Sequence, residues 1–359
     1  MQWANHLNAS AIAAGKTPLL LNLDETNVPI VYVHSRGTFV VDNASEAWGS
    51  RPKQAATKAD QRMNFTYVSI ICNDSSIQPI LPQVIFVSEK CVTKAAWLRL
   101  CETLPSNVFV KRITKGWNNA KEHAIILKLL GLILQPFLAT RQPILYFDAA
   151  LLHLKPECLA ELATAVIWFA VIPPRLTWML QPLDTHGFVR LKFFVQCRFI
   201  DELGSGEDLP VAIKMIKLVI RAIQKVLQAH RWEKSFADNG LAGSQATVSR
   251  TIAEALQYES LPQASAARPT LEMIRMCWPR NTQVPEAEVW NAFPPVAMPG
   301  HGDAPIHGRY TVGGSAGSAG PAAGGGGAAN TDPPEVIRRT RLKRKTTTDA
   351  FGEGETSEV

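Results

Sequence analysis

The sequence predicts an α/β fold: a mixed sheet flanked by helices, followed by a helical C-terminal extension and a disordered tail. Three observations predict it. Short, almost wholly apolar runs at Leu19–Asp24, Ile144–Phe147 and Val166–Ile172 have the length and composition of buried strands. A β-branched and aromatic pair of runs, Phe65–Cys72 and Ile80–Val87, is separated by the turn residues Asn73-Asp74-Ser75-Ser76 and reads as a hairpin-like unit. Longer segments with helical spacing alternate with the later strands, as layered α/β domains require.

Taken in order, residues 1–17 read as a short polar lead, and Leu19–Asp24 is too short and too apolar for an amphipathic helix. Residues 42–62 mix Ala, Ser, Lys and Arg and read as a loop. Thr93–Leu104 has helical spacing with Thr93 as its N-cap. Asn107–Ile113 is a short strand, and Asn119–Leu138 is a long helix that Pro136 ends early. Ile144–Phe147 carries Asp148 at its end, Pro156–Ala163 is a helix with proline in its first turn, and Val166–Ile172 is stopped by Pro173-Pro174. Helical periodicity resumes at Leu183, which puts Asp184 in a first turn. After a break at Leu203–Asp208, Val211–Trp232 is the clearest amphipathic helix, with Ile213, Ile216, Val219, Ile220, Ile223, Val226 and Leu227 on one face. Ser249–Tyr258 and Thr270–Trp278 read as further helices. These readings divide the chain into a lead (1–17), an α/β domain (18–203), a helical extension (204–293) and a tail (294–359). In the tail, residues 313–330 hold eight of the 23 glycines and no large apolar side chain, too little to order a segment.

Composition narrows the function. A hydrophobic content of 46% against 19% charged residues supports a buried core, and a net charge of +6 suits a polyanionic partner. Six basic and six acidic residues cancel within 331–359, so the excess belongs to the preceding part. The six cysteines show no C-x-x-C spacing, which argues against a zinc ribbon or finger and for reduced thiols. Nothing at the N-terminus reads as a secretory signal and no apolar run reaches the ~20 residues of a membrane helix, so no membrane partner is expected. Outside the glycine-rich run there is no G-x-S-x-G elbow, no phosphate-binding G-x-x-x-x-G-K-[ST] loop and no G-x-G-x-x-G after a strand.

The chemistry rests on three aspartates. Asp24 and Asp148 end apolar strands, and Asp184 follows a third, with thirty-five residues between the last two. Any one of them alone reads as a strand-end or helix cap. Three in this order read as a carboxylate cluster, which repels itself unless a hard divalent cation neutralises it. The stretches LNLDET (Leu21–Thr26), YFDAALLH (Tyr146–His153) and LTWMLQPLDTHGFVRLK (Leu176–Lys192) resemble the DDE superfamily endonucleases, the catalytic domains of pogo- and mariner-like transposases. The resemblance spans about half the chain. It implies an RNase H-like fold, DNA as partner, and assembly as a multimer. It also implies two Mg²⁺ or Mn²⁺ ions held by Asp24, Asp148 and Asp184, for phosphodiester cleavage and strand transfer.

The same resemblance marks Glu25 after the first acid, His153 as near phosphate or behind the metal ligands, and Lys192 as a phosphate contact; His186, two residues beyond Asp184, is a further candidate nucleic-acid contact by its position. Packed or solvated roles remain open for each. The family commonly follows the second acid with Asn; this chain has Ala149, which brings activity into question. Asp24 also arrives too early for the helix-turn-helix region that complete relatives place ahead of it. A transposase-derived protein that binds DNA without cutting it is therefore the alternative. Lys115–Asn119 also resembles a family feature before the long helix; its Trp117, beside basic residues, can stack on a base, but core packing is the expectation, and Trp168 and Trp178 are expected to buttress the Pro-Pro turn. The run Arg338–Lys345, six basic residues in eight, reads as a nuclear-localisation or DNA-binding patch.

Overall fold

The computed structural model describes residues 1–30, 64–114, 116–203, 209–242, 253–254, 257 and 265–279. All of them fall within one compact unit, Met1–Ile306; a second, His307–Val359, lies outside the described residues. Also outside them are the loop at 42–62, the glycine-rich run and the basic run at 338–345; of the helix expected at 249–258, only 253–254 and 257 are described.

Six strands form one sheet: β1 (Thr17–Pro29), β2 (Asn64–Cys72), β3 (Gln83–Ser88), β4 (Val108–Ile113), β5 (Arg141–Asp148) and β6 (Trp168–Ile172), in the order β4-β3-β2-β1-β5-β6. β1, β2 and β3 form an antiparallel meander, whereas β5 runs parallel to β1, β6 parallel to β5, and β4 parallel to β3. An antiparallel meander continued by parallel strands on the far side of β1 is the RNase H-like arrangement, here with β4 added at the β3 edge. The apolar run Leu19–Leu23 is buried on both faces, as a strand with covered faces must be. β3 starts later than the sequence suggests. A short 3₁₀ turn occupies Gln78–Ile80, and Pro82, which has no N–H to give a ladder, precedes the strand.

Among the described residues the helices are α1 (Gln2–Ala13), α2 (Lys94–Cys101), α3 (Ala120–Leu134), α4 (Pro156–Thr164), α5 (Thr177–Leu180), α6 (Phe188–Leu203), α7 (Val211–Ala222), α8 (Glu233–Asp238) and α9 (Leu271–Cys277). Thr93 caps α2 by accepting from the Ala96 N–H, as its sequence position suggested. Asn119 caps α3 in the same way, and Gln135–Phe137 tightens into a 3₁₀ turn around Pro136. The expected helix from 211 to 232 is α-helical only to Ala222; Ile223–Gln228 widens into a π-helical turn.

The first segment differs from a polar lead. Residues 2–13 form α1, which contacts β1 and β6 and buries Trp3, Ala4, Leu7 and Ala11, with Trp3 against Phe169 at 6.1 Å between ring centroids. Trp3, Leu7 and Ala11 are spaced i, i+4, i+8 and make one buried stripe, although polar Asn5, His6, Asn8 and Ser10 stand between them. α6 and α7 pack on each other, and Phe188 at the start of α6 meets Tyr67 of β2. One core joins sheet and helices, from Leu7 to Trp232 and Phe236.

One tryptophan expectation needs correcting: Trp117 is 57% exposed and does not pack in the core. Of the pair beside the Pro-Pro turn, Trp168 leans on the core and Trp178 is 53% exposed. Apolar character alone did not separate a residue in a loop or on an outer helical face from one facing the sheet.

The α3–α4 contact supplies a test of packing. A Cβ built on Gly131 would lie 2.5 Å from the Ala165 Cβ. Gly131→Ala gains helix propensity of up to ~1 kcal/mol, yet overpacking costs about 1–3 kcal/mol. Urea denaturation is expected to show a net loss of stability, and a gain would mean that the two helices part easily.

Candidate active site

The sheet register explains why Asp24 and Asp148 meet. The parallel β1–β5 ladder ends at Asn22↔Tyr146, and two residues further along each strand stand Asp24 and Asp148. β1 continues there paired only with β2, Asp24 opposite Ser69, which leaves the space beside it for other groups. Asp148 is the last residue of β5, and its Oδ1 accepts the Ala150 N–H at 3.1 Å, turning the chain away from the strand.

Asp184 arrives from a distant part of the chain, and Asn22 brings it in. This fully buried side chain donates from Nδ2 to the Tyr146 carbonyl at 2.9 Å and accepts the Leu183 N–H on Oδ1 at 2.9 Å. It thus pins β1, β5 and the start of the turn Leu183–Gly187 at one point. That turn is π-helical. A Cβ on Gly187 would sit 3.0 Å from Leu183 Cδ2 and 3.7 Å from Leu227 and Trp232, so the later helices close on it. Asn239, buried at the end of α8, hydrogen-bonds the Met179 carbonyl and accepts from Thr185 Oγ1 at 3.1 Å.

The three acids act on one another electrostatically. Burial first, then the charges of Asp184, Glu25 and Asp148, push the Asp24 carboxyl well above the usual carboxylate range. Burial, and then the charge of Asp148, raise Asp184, against hydrogen bonds from Thr177 and Asp24 and the charge of Lys192. A hydrogen bond between two carboxyl groups requires a proton on one of them, and Asp24 is the more buried.

Glu25 behaves in the opposite way. Burial would raise it, but the hydrogen bond and charge of His153, the charge of His123 and the Asn118 amide hold it at about 2. His153, 1% exposed, lies between two acids: its Nε2 is 3.1 Å from Glu25 Oε2 and its Nδ1 is 2.8 Å from Asp148 Oδ1. Burial opposes its protonation, yet the hydrogen bonds to Asp148 and Glu25 raise it to about 10. The His123 ring stacks 4.6 Å from it, and burial, then His153, lower His123 to about 3.

Asp24 and Asp184 thus share a hydrogen bond, the charge of Asp148 acts on both, and His153 lies buried beside Asp148. Lys192 is exposed near Asp184, with its Nζ 6.0 Å from the Phe188 ring. His186 faces another way: Nδ1 meets Thr185 Oγ1 at 2.7 Å and Nε2 lies 3.7 Å from Asp238 Oδ2. Ala149, in the Asn position of the resemblance, is partly buried against the core. Sequence reasoning missed Asn22, Asn118 and His123. A polar residue inside the run LLLNLD and a histidine on the apolar face of α3 were the available signals.

No protein-family model and no curated protein sequence matches the chain. Solved transposase structures match it. The Mos1 transposase paired-end complex with left transposon end is 16% identical over 67% of this chain and 62% of that one, with a TM-score of 0.30. A pre-cleavage Mos1 transpososome is 15% identical over 67% and 63%, with a TM-score of 0.29. The catalytic domain of Mos1 mariner transposase is 14% identical over 67% and 93%, with a TM-score of 0.27. The chain thus spans about 62% of the transposase chain in the first of these complexes.

Gln181, of the QPLD block, is fully buried, and neither its side-chain oxygen nor its nitrogen has a partner among the described residues. An unmet buried polar atom costs ~1–3 kcal/mol. Gln181→Met, which keeps the shape, is expected to raise the unfolding free energy by about 1 kcal/mol in urea titration. A drop would show that the amide is hydrogen-bonded in solution, through water or substrate-side groups.

Proposed function

We propose that the chain is a transposase-derived DDE-type endonuclease domain that cleaves DNA phosphodiester bonds with divalent metal and carries out strand transfer. The observation that supports it is the convergence of Asp24, Asp148 and Asp184, from β1, β5 and the turn before α6, on one end of an RNase H-like sheet. Their donor set fits two Mg²⁺ or Mn²⁺ ions: all oxygen, like-charged, and close enough to raise the protonation of Asp24 and Asp184. When bound, such ions supply activation of a water or 3′-hydroxyl and neutralise the leaving oxygen.

The chain's own residues do the rest. Two acids sit on strands that the sheet holds rigid, and the third is positioned by Asn22 and Thr177. His153 orients the Asp148 carboxylate. Exposed Lys192 faces incoming phosphate beside Asp184 and adds to the metal's charge there. In this reading the protein works on DNA as a multimer in the nucleus, directed there by Arg338–Lys345. A fluorescent fusion lacking 338–345 should lose nuclear accumulation.

The deciding experiment is nicking of supercoiled DNA by wild type and Asp184→Asn, with Mg²⁺ and with EDTA. Wild-type product only with metal, and none from the variant, is the expected result. Salt-sensitive DNA binding with no product would turn the reading to the non-cutting alternative. No DNA binding at low salt would sink both.

A further inference from the structure

We propose that Glu25, His123 and His153 form a second metal centre, selective for a transition ion and zinc first among them, separate from the three-aspartate cluster. One ligand atom from each lies within 4.8 Å of the others. A single oxygen, Glu25 Oε1, is 3.2 Å from His153 Nε2 and 3.7 Å from His123 Nδ1. Zinc bonds of ~2.0–2.1 Å at tetrahedral angles separate neighbouring donors by about 3.3 Å. The two edges at Glu25 bracket that length, and the third, between the imidazole nitrogens, lies within 4.8 Å and closes as an ion is seated.

The donor chemistry differs from that of the aspartates. Two imidazole nitrogens with one carboxylate favour zinc and its neighbours, whereas magnesium and manganese prefer oxygen alone. Zinc-binding histidines commonly give their second ring nitrogen to a carboxylate, which fixes ring and tautomer. His153 has that arrangement already, with Nδ1 at 2.8 Å from Asp148 Oδ1.

A fourth donor is at hand. Asn118 directs its Nδ2 to Glu25 Oε1 at 2.7 Å and to His123 Nδ1 at 3.0 Å, while its Oδ1 is buried with no partner among the described residues. A half-turn of the amide places that oxygen where the nitrogen now stands, facing the ion. Asn118 is held nearby because Gly116, at φ 69°, brings its backbone against Ser88, where a Cβ would meet the Ser88 nitrogen at 3.0 Å. The four residues come from β1, the turn after β5, α3 and the loop before α3. An ion there would tie these parts together and stiffen Asp148 from behind, a role that requires neither DNA nor cleavage.

The test uses the full chain, stripped with a chelator and reloaded with zinc alone. Elemental analysis and calorimetry should find one zinc per chain in the wild type and in the double variant Asp24→Asn/Asp184→Asn, in which the aspartate cluster is broken. His123→Ala should bind at least tenfold more weakly. Cobalt replacement in the wild type needs no variant that folds: intense visible bands of a tetrahedral nitrogen/oxygen site are expected. No zinc uptake, uptake unchanged by His123→Ala, or uptake lost in the double aspartate variant would overturn the site. So would weak octahedral cobalt bands, or a cobalt–thiolate charge-transfer band placing the ion on one of the six cysteines. Loss of nicking with zinc binding intact would instead count against the endonuclease reading alone.

Discussion

Asp184→Asn and Asp24→Asn are expected to abolish metal-dependent nicking while leaving the metal-free protein as stable as wild type or more so. The two effects have opposite signs for one reason. In the absence of a cation, the cluster is a like-charge contact at the edge of the core: burial and mutual repulsion raise Asp24 and Asp184. An acid whose folded pKa is raised contributes stability that is complete below its unfolded pKa and is lost as pH climbs through the folded one. Neutral asparagine of the same shape removes that loss, so the metal-free variants should hold their stability as pH rises from 4 toward 8 while wild type declines. Relief of a buried, poorly compensated charge is worth on the order of 1–3 kcal/mol. The same charge is what a divalent ion would bind. Removing one ligand from a metal that supplies several kcal/mol of transition-state stabilisation costs about a thousand-fold or more in rate. Urea titrations with EDTA across pH, paired with nicking assays in Mg²⁺, read both. A variant that nicks like wild type would remove its residue from the reaction, and one less stable than wild type would overturn the repulsion argument.

Much of this fold was legible in the sequence because its strands carry unambiguous patterns. Ile144–Phe147 and, but for Asn22, Leu19–Leu23 lie under both layers and therefore read as apolar runs, while Phe65–Cys72 and the turn at Asn73–Ser76 announce a meander. α1 was not legible: its buried stripe needs only a few apolar positions, and the sheet it covers is assembled from residues far along the chain. The π-helical stretches at Leu183–Gly187 and Ile223–Gln228 were also invisible, since an i→i+5 turn leaves the helical periodicity nearly unchanged over five or six residues.

The site was partly legible, and the division is physical. The acids advertise themselves because a carboxylate at the end of an apolar run is costly. The residues that hold them do not. Asn22 acts through two hydrogen bonds to segments more than a hundred residues away, and no spacing rule reveals such contacts. His123 and Asn118 look in sequence like a core histidine and a loop amide. Only the packing of α3 against the turn after β5 shows that they share Glu25.

His153→Ala is expected to be the most damaging single change to stability, at about 3–5 kcal/mol in chelator-treated protein, the cost of stripping the partner from a buried charge. The imidazolium is the link between Glu25 and Asp148, and its removal leaves Glu25 with only the Asn118 amide and neutral His123. The pH dependence gives a sharper test than the magnitude. His153 is raised from an ordinary value near 6.5 to about 10, so its contribution is complete below about 6.5 and fades as pH rises through 10. Glu25 is lowered to about 2, so its contribution is complete above its usual carboxylate range and fades as pH falls toward 2. Wild-type stability should therefore crest near pH 5–6 from this pair, with an acid limb and an alkaline limb. His153→Gln, which keeps a donor at one end and much of the volume, should flatten the alkaline limb and retain part of the crest. Urea midpoints at pH 5.5 and pH 9 separate the cases: a wild type equally stable at both would mean that His153 is neutral, and that the Glu25–His153–Asp148 link is an ordinary packed contact rather than a buried ion pair.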